Sequence, residues 1–287
     1  NFPSLSNDQI SNLVNSVMSK EQQTQFAREH DLDLAYSIPD VSRFRVNVLK
    51  QQRLVGAVIC VIPNEIKTLA QLNMPEDFGD FAHLPRGLVL VCGPTGSGKS
   101  TTLAAIVNEA NRTRRDHILT IEDPIEFVHK NQKCIVTQRE VGEDTDSFAR
   151  GLRQALRQDP DIILVGELRD PETIQTAITA AETGHLVFGT LHTQSAAETM
   201  SRIIDSFPDG SKPQVRAQLA ATIQGIVCQT LLKAIDGKGR VAATEVLKGV
   251  PSVRALIRTG KEEQIISQLE TGGKYGMHTL DMNLETL

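Results

Sequence analysis

Gly93-Pro94-Thr95-Gly96-Ser97-Gly98-Lys99-Ser100 is the stretch that decides the fold. It fits GxxxxGK[ST], with an apolar run at 88–92 before it and a helix-forming segment from Lys99 after it. Strand, glycine-rich turn and helix together make a phosphate cradle. The glycines let backbone N–H groups turn inward, and the helix N-terminus adds its positive end. Gly93 through Ser100, with Thr101, are therefore expected to line the phosphates of a nucleoside triphosphate. Lys99 is expected to reach the β- and γ-phosphates and Ser100 to ligate Mg²⁺.

Outward from this loop, short apolar runs at 88–92, 118–121, 162–165 and 186–189 alternate with helical patterns. That alternation predicts an α/β unit with a mostly parallel sheet. The runs end in polar residues: Glu122-Asp123, Gly166-Glu167, and Thr190 with His192. Ligands of open parallel sheets bind beyond the carboxyl ends of the strands, so Glu122, Glu167 and His192 are expected to converge on the phosphates. Glu167 follows an apolar strand and can position an attacking water; its other reading is a helix cap or a partner for Arg169. Gly166 stands where many P-loop enzymes carry a metal-binding Asp, so the metal would rest on Ser100, water and Glu122. Asp123-Pro124 also permits a turn at Glu122. His185 and His192 flank the last run and could sense a γ-phosphate, or be structural.

The first part of the chain has another texture. Residues 6–29 carry Ile10, Leu13, Val14, Val17 and Met18 at helical spacing, and residues 43–48 alternate polar with apolar. A further strand at 54–62 is closed by Pro63. These features predict a small α/β domain at 1–72, a linker at 73–80, where Pro75 and Gly79 fall, and the P-loop domain at 81–287. From about residue 212 the tail reads as mostly helical, with a hairpin near 236–240. Arg150, Arg153 and Arg157 form one helical stripe opposite Phe148, Leu152 and Leu156, a solvated face or a charged subunit surface. Arg43, Arg45 and Arg53 are surface charges or candidates for an arginine presented to a neighbour's γ-phosphate.

Composition narrows the class. The formal net charge of −5 gives no global basic field for nucleic acid. No apolar run reaches the roughly 18–20 residues of a membrane span, and no signal peptide is visible. The four cysteines, Cys60, Cys92, Cys134 and Cys228, are scattered without the clustering a zinc site needs, which suits a reducing cytoplasm.

Quoted together, GPTGSGKSTTLAA (93–105), ILTIEDPIEF (118–127), LRQDPDIILVGELRDPETI (156–174) and TGHLVFGTLHTQSA (183–196) resemble the Walker A, Asp box, Walker B and His box of secretion ATPases. With RFRVN (43–47) and SVRALIRTGK (252–261), nearly the whole chain is similar to type IV pilus retraction ATPases. The resemblance implies a PAS-like N-terminal domain, a RecA-like ATPase domain and a homohexamer. It implies ATP hydrolysis with Mg²⁺, coupled to pilus disassembly and twitching motility. The location it implies is the cytoplasm, at the inner-membrane face beside the pilus platform protein. The family's catalytic glutamate falls on Glu167, its Asp-box acid on Glu122, its box histidines on His185 and His192, and its trans-acting arginines among Arg43, Arg45 and Arg53. The family usually carries a further stretch before the equivalent of Phe2, so the first domain is expected to be truncated. Ser252-Val253 and Thr259 depart from the commonest retraction motif.

Other readings lie close by. Pilus extension ATPases share the core motifs but usually add a four-cysteine zinc site that this sequence lacks. A secretion or DNA-translocating ATPase, or a slowly hydrolysing regulator of a main motor, uses the same loop.

Overall fold

The computed structural model describes residues 3–38, 41–62, 65–75, 77–235 and 237–287. Contacts divide the chain into two units, Asn1–Glu65 and Ile66–Leu287.

The smaller unit holds α1 (Asn7–Ser16), α2 (Lys20–Glu29), β1 (Asp31–Ile38), β2 (Ser42–Gln51) and β3 (Leu54–Ile62). The single helical pattern across 6–29 is broken in two. The Ser19 side chain accepts the Gln22 N–H while the Gln22 side chain accepts the Ser19 N–H, a capping box that starts a new helix. Ser6 and Gln9 do the same for α1. The strands pair antiparallel in the order β1-β2-β3. Val14, Met18 and Phe26 of the helical segment pack on Leu32, Leu34, Val46 and Val48. Strand alternation therefore puts Arg43 and Arg45 on the other face of β2. Pro63, expected to close β3, lies outside the described residues.

The larger unit runs α3 (Phe78–His83), β4 (Gly87–Cys92), α4 (Lys99–Thr113), β5 (His117–Glu122), β6 (Ile135–Glu140), α5 (Phe148–Ala155), β7 (Ile162–Val165), α6 (Pro171–Glu182), β8 (Leu186–Leu191), α7 (Ala196–Asp205), α8 (Lys212–Thr222), β9 (Ile223–Lys233), β10 (Arg240–Lys248), α9 (Pro251–Thr259), α10 (Ile265–Thr271) and α11 (Leu280–Leu284). Residues 73–80 belong to it: Phe78 is fully buried in its core and Met74 packs against the same cluster.

Its seven strands stand in the order β10-β9-β4-β8-β7-β5-β6. All neighbours are parallel except β9 and β10. Helices α3 and α4 contribute to the core on one face, and α5 to α10 to the core on the other. Every residue of β4 and β8 is buried, which explains why these strands read as continuous apolar runs rather than alternating ones. The tail departs from the mostly helical expectation. Ile223, Ile226, Val227 and Thr230 are β-branched, and β9 finds a parallel partner in β4 and an antiparallel one in β10. The hairpin near 236–240 is the turn of that pair, with Asp236 outside the described residues.

The basic stripe is shared with acids. Arg150 pairs with Asp146 and Arg153 with Glu172, while Arg157 lies beyond the end of α5.

Candidate active site

Parallel strands with a common polarity bring the ends of β4, β5, β7 and β8 to one edge of the sheet. The glycine-rich loop leaves β4 there. Gly93, Gly96 and Gly98 have φ of 141°, 78° and 89°. Such left-handed backbone costs glycine little, because it has no Cβ to clash. At Gly93 a Cβ would lie 2.3 Å from the Gln229 carbonyl oxygen, so chain direction and packing both require glycine. Pro94, Thr95 and Gly96 form the exposed crest, and Ser97 is buried beneath it.

Helix α4 starts at Lys99 with Gly98 as its N-cap, no side-chain cap and no acidic residue in its first turn. Its positive end is thus uncompensated by the chain and suited to an anion. Ser100 and Thr101 sit in this first turn, half-buried. The buried Ser97 Oγ finds no partner within the described chain, a donor that suits a phosphate oxygen. The Lys99 ammonium donates to the carbonyls of Gly93 at 2.8 Å and Pro94 at 3.1 Å. Partial burial holds it below the usual lysine range, and the Glu167 and Glu126 carboxylates oppose that shift.

Glu167 follows β7 through Gly166. Arg169 Nη2 lies 2.8 Å from one carboxylate oxygen and His192 Nε2 3.2 Å from the other. Arg169 Nη1 is also 3.8 Å from Asp123. The ion pair with Arg169 is therefore present, and Glu167 is also near enough to Lys99 to favour the lysine's charge. Thr190, at the end of β8, donates to the Gly166 carbonyl at 2.5 Å and ties the two strand ends together. Gly166 has little room for a side chain: a Cβ would lie 3.1 Å from the Ile121 oxygen and 3.2 Å from the Glu122 Cα. An aspartate there would press on β5.

Glu122 ends β5 in different surroundings. Its Oε1 accepts from Thr120 Oγ1 at 2.7 Å and from Gln138 Nε2 at 3.1 Å. Burial pushes its carboxyl above the usual range, against the pull of those bonds. Ser100 and Glu122 supply the oxygen chemistry that Mg²⁺ takes, and Mg²⁺ commonly uses one or two carboxylates with phosphates and water. Among the described residues no cluster of three or more His, Cys, Asp or Glu could cage a metal by itself. The donor set therefore fits a nucleotide-borne Mg²⁺.

Not every expected residue joins the site. His185 precedes β8 at the opposite edge of the sheet, its Nδ1 2.9 Å from the Ala180 carbonyl. It cannot touch this chain's own loop, because the whole length of β8 intervenes. Arg43 and Arg45 lie on β2, and Arg53 in the tight turn after it with φ of 68°. All three belong to the smaller unit.

Two residues of the site escaped the sequence reading. Glu126 is close enough to Lys99 to favour its charge, and its signal is the third acid of ILTIEDPIEF. Gln229 is buried in β9, and its signal is one amide within the apolar run IVCQTLL (226–232).

A doubly covered, mostly parallel sheet, a phosphate loop on an interior strand and a carboxylate near enough to the loop lysine to favour its charge define a RecA-like P-loop ATPase. The chain belongs to the type II/IV secretion system protein family, whose model matches residues 30–256. It is 53% identical over 287 residues to the type IV pilus retraction ATPase PilT of Pseudomonas aeruginosa, covering 100% of this chain and 83% of that protein. It is 52% identical over 287 residues to a twitching motility protein of Neisseria gonorrhoeae, covering 100% of this chain and 77% of that protein. A crystal structure of the pilus retraction motor PilT with bound ADP superposes with a TM-score of 0.91 at 46% identity, over 98% of this chain and 79% of that one. No helix among the described residues is long and apolar enough to cross a membrane.

Proposed function

We propose that this chain is a motor ATPase that drives type IV pilus disassembly, and so retraction and twitching motility. The observation that carries the reading is the similarity to PilT across all 287 residues of this chain, and the pairing of Glu167 with Arg169 supports it. The loop N–H groups and the α4 N-terminus hold the phosphates of ATP. Lys99 swings from the Gly93 and Pro94 carbonyls to the β- and γ-phosphates. Ser100 and Glu122 hold Mg²⁺, whose role when bound is to neutralise developing phosphate charge. Glu167, oriented by Arg169 and His192, takes the proton of the attacking water.

The working assembly is a homohexamer at the cytoplasmic face of the inner membrane, engaged with the pilus platform protein. The two units act as separate domains joined near Glu65 and Ile66. One of Arg43, Arg45 or Arg53 from a neighbour completes the γ-phosphate site, and His185 serves outside this chain's own loop. Sedimentation with and without nucleotide tests the ring; a strictly monomeric, fully active enzyme would refute the trans arginine. Deleting the gene in its source organism tests the direction of work. Excess surface pili without twitching is the expected result, and bald cells would mean extension instead.

A further inference from the structure

We propose that Gln229 is a positioning residue for nucleotide binding, setting the phosphate loop from the neighbouring strand; this rests on the P-loop reading. Strand β9 runs parallel to β4, and their pairing ends at Cys92 and Cys228. The next residue on each strand is Gly93 on one side and Gln229 on the other, and the Gln229 side chain, 3% exposed, lies under the loop. Its single carboxamide bonds in two directions. Nε2 donates to the Ser97 carbonyl at 2.6 Å, and Oε1 accepts from Thr102 Oγ1 at 2.9 Å. The Ser97 carbonyl fixes which way the amide faces, since it can only accept and so takes Nε2, leaving Oε1 for the Thr102 hydroxyl.

The bond to Ser97 has a consequence on the far side of the peptide plane. A trans peptide is rigid, and its C=O and N–H point in opposite directions. Holding the Ser97 oxygen on Gln229 turns the Gly98 N–H away from β9, toward the concave side of the loop where phosphate is expected. Gly98 itself takes φ of 89°, and a Cβ there would lie 3.0 Å from Gln229 Nε2. Gly93 is shaped by the Gln229 backbone and Gly98 by its side chain, so the two ends of the loop are set by one residue. Carboxamide chemistry is required: the site needs a donor for a carbonyl and an acceptor for a hydroxyl from one planar group.

The test compares Gln229→Glu, Gln229→Met, Thr102→Val and Thr102→Ser in the full chain, with wild type and Lys99→Ala as controls. Fluorescent ADP titration, steady-state ATPase rates and melting temperature are the readouts. Glutamate keeps the acceptor and loses the donor; methionine keeps the bulk and loses both. The expected result is a rise of about tenfold in the ADP Kd and the ATP KM for both Gln229 variants, with kcat at saturation within about threefold of wild type. Thr102→Val should give a smaller rise and Thr102→Ser none. A purely structural role would lower melting temperature and kcat, through a smaller active fraction, while leaving KM alone. Unchanged KM and ADP affinity in a folded Gln229 variant would overturn the proposal. If neither Gln229 variant folds, Thr102→Val decides, and a wild-type KM there would overturn it. Failure of wild type itself to bind ADP would instead reject the P-loop reading.

Discussion

The ends of β7 and β5 show how one sequence pattern makes two different acids. Each strand is a buried apolar run that ends near a glutamate, Glu167 after β7 and Glu122 on β5. Glu167 lies against a guanidinium and an imidazole and faces Lys99. Glu122 is bonded by a hydroxyl and an amide, both neutral, and burial pushes its carboxyl up. Around Glu122 the neutral donors compensate burial only in part. The proposed mechanism gives water activation to Glu167 and leaves Glu122 for metal or for structure.

The largest effect that could break this contrast is at the residue Glu167 faces. Lys99→Ala should lower phosphate release by about 10³-fold or more, because the loop cation stabilises transferring phosphate. Near-normal turnover would mean that hydrolysis occurs elsewhere. Next comes the guanidinium that distinguishes the two acids. Arg169→Ala should reduce kcat about tenfold with little change in ADP affinity, since Arg169 pairs with Glu167 and Asp123. A loss of ADP affinity with kcat preserved would assign Arg169 to nucleotide binding instead.

The smallest effect concerns Glu122. A carboxyl whose folded pKa is raised above its unfolded value contributes stability below the unfolded pKa and loses it as pH rises through the folded one. Glu122→Gln removes that loss. Its melting temperature should match wild type near pH 4 and exceed it by about 2 °C at pH 7. A gap that shrinks as pH rises would show that the fold favours the ionised form of Glu122.

Much of this edge was legible in the sequence because its determinants are local. Gly93, Gly96 and Gly98 announce left-handed backbone, Lys99-Ser100 a helix start, and each apolar run a buried strand with its acid just beyond. The break between α1 and α2 was also local, but hydrophobic spacing concealed the Ser19 and Gln22 cap. What pairing decides was not legible. Gln229 meets Ser97 across 132 positions of chain, and only the strand order reveals it. His185 and His192 bracket one strand and look equivalent in sequence, yet the length of β8 puts them at opposite edges of the sheet. The long strand β9 reads as helix until β4 and β10 supply its partners.

Steady-state phosphate release by wild type and Glu167→Gln, with ADP affinity measured alongside, tests the central claim most directly. Clear turnover in wild type should fall at least ~10²-fold in the variant with ADP binding retained, the loss expected when water positioning is removed. Equal slow rates in both proteins would contradict it, and would point to a nucleotide-binding regulator in place of a motor.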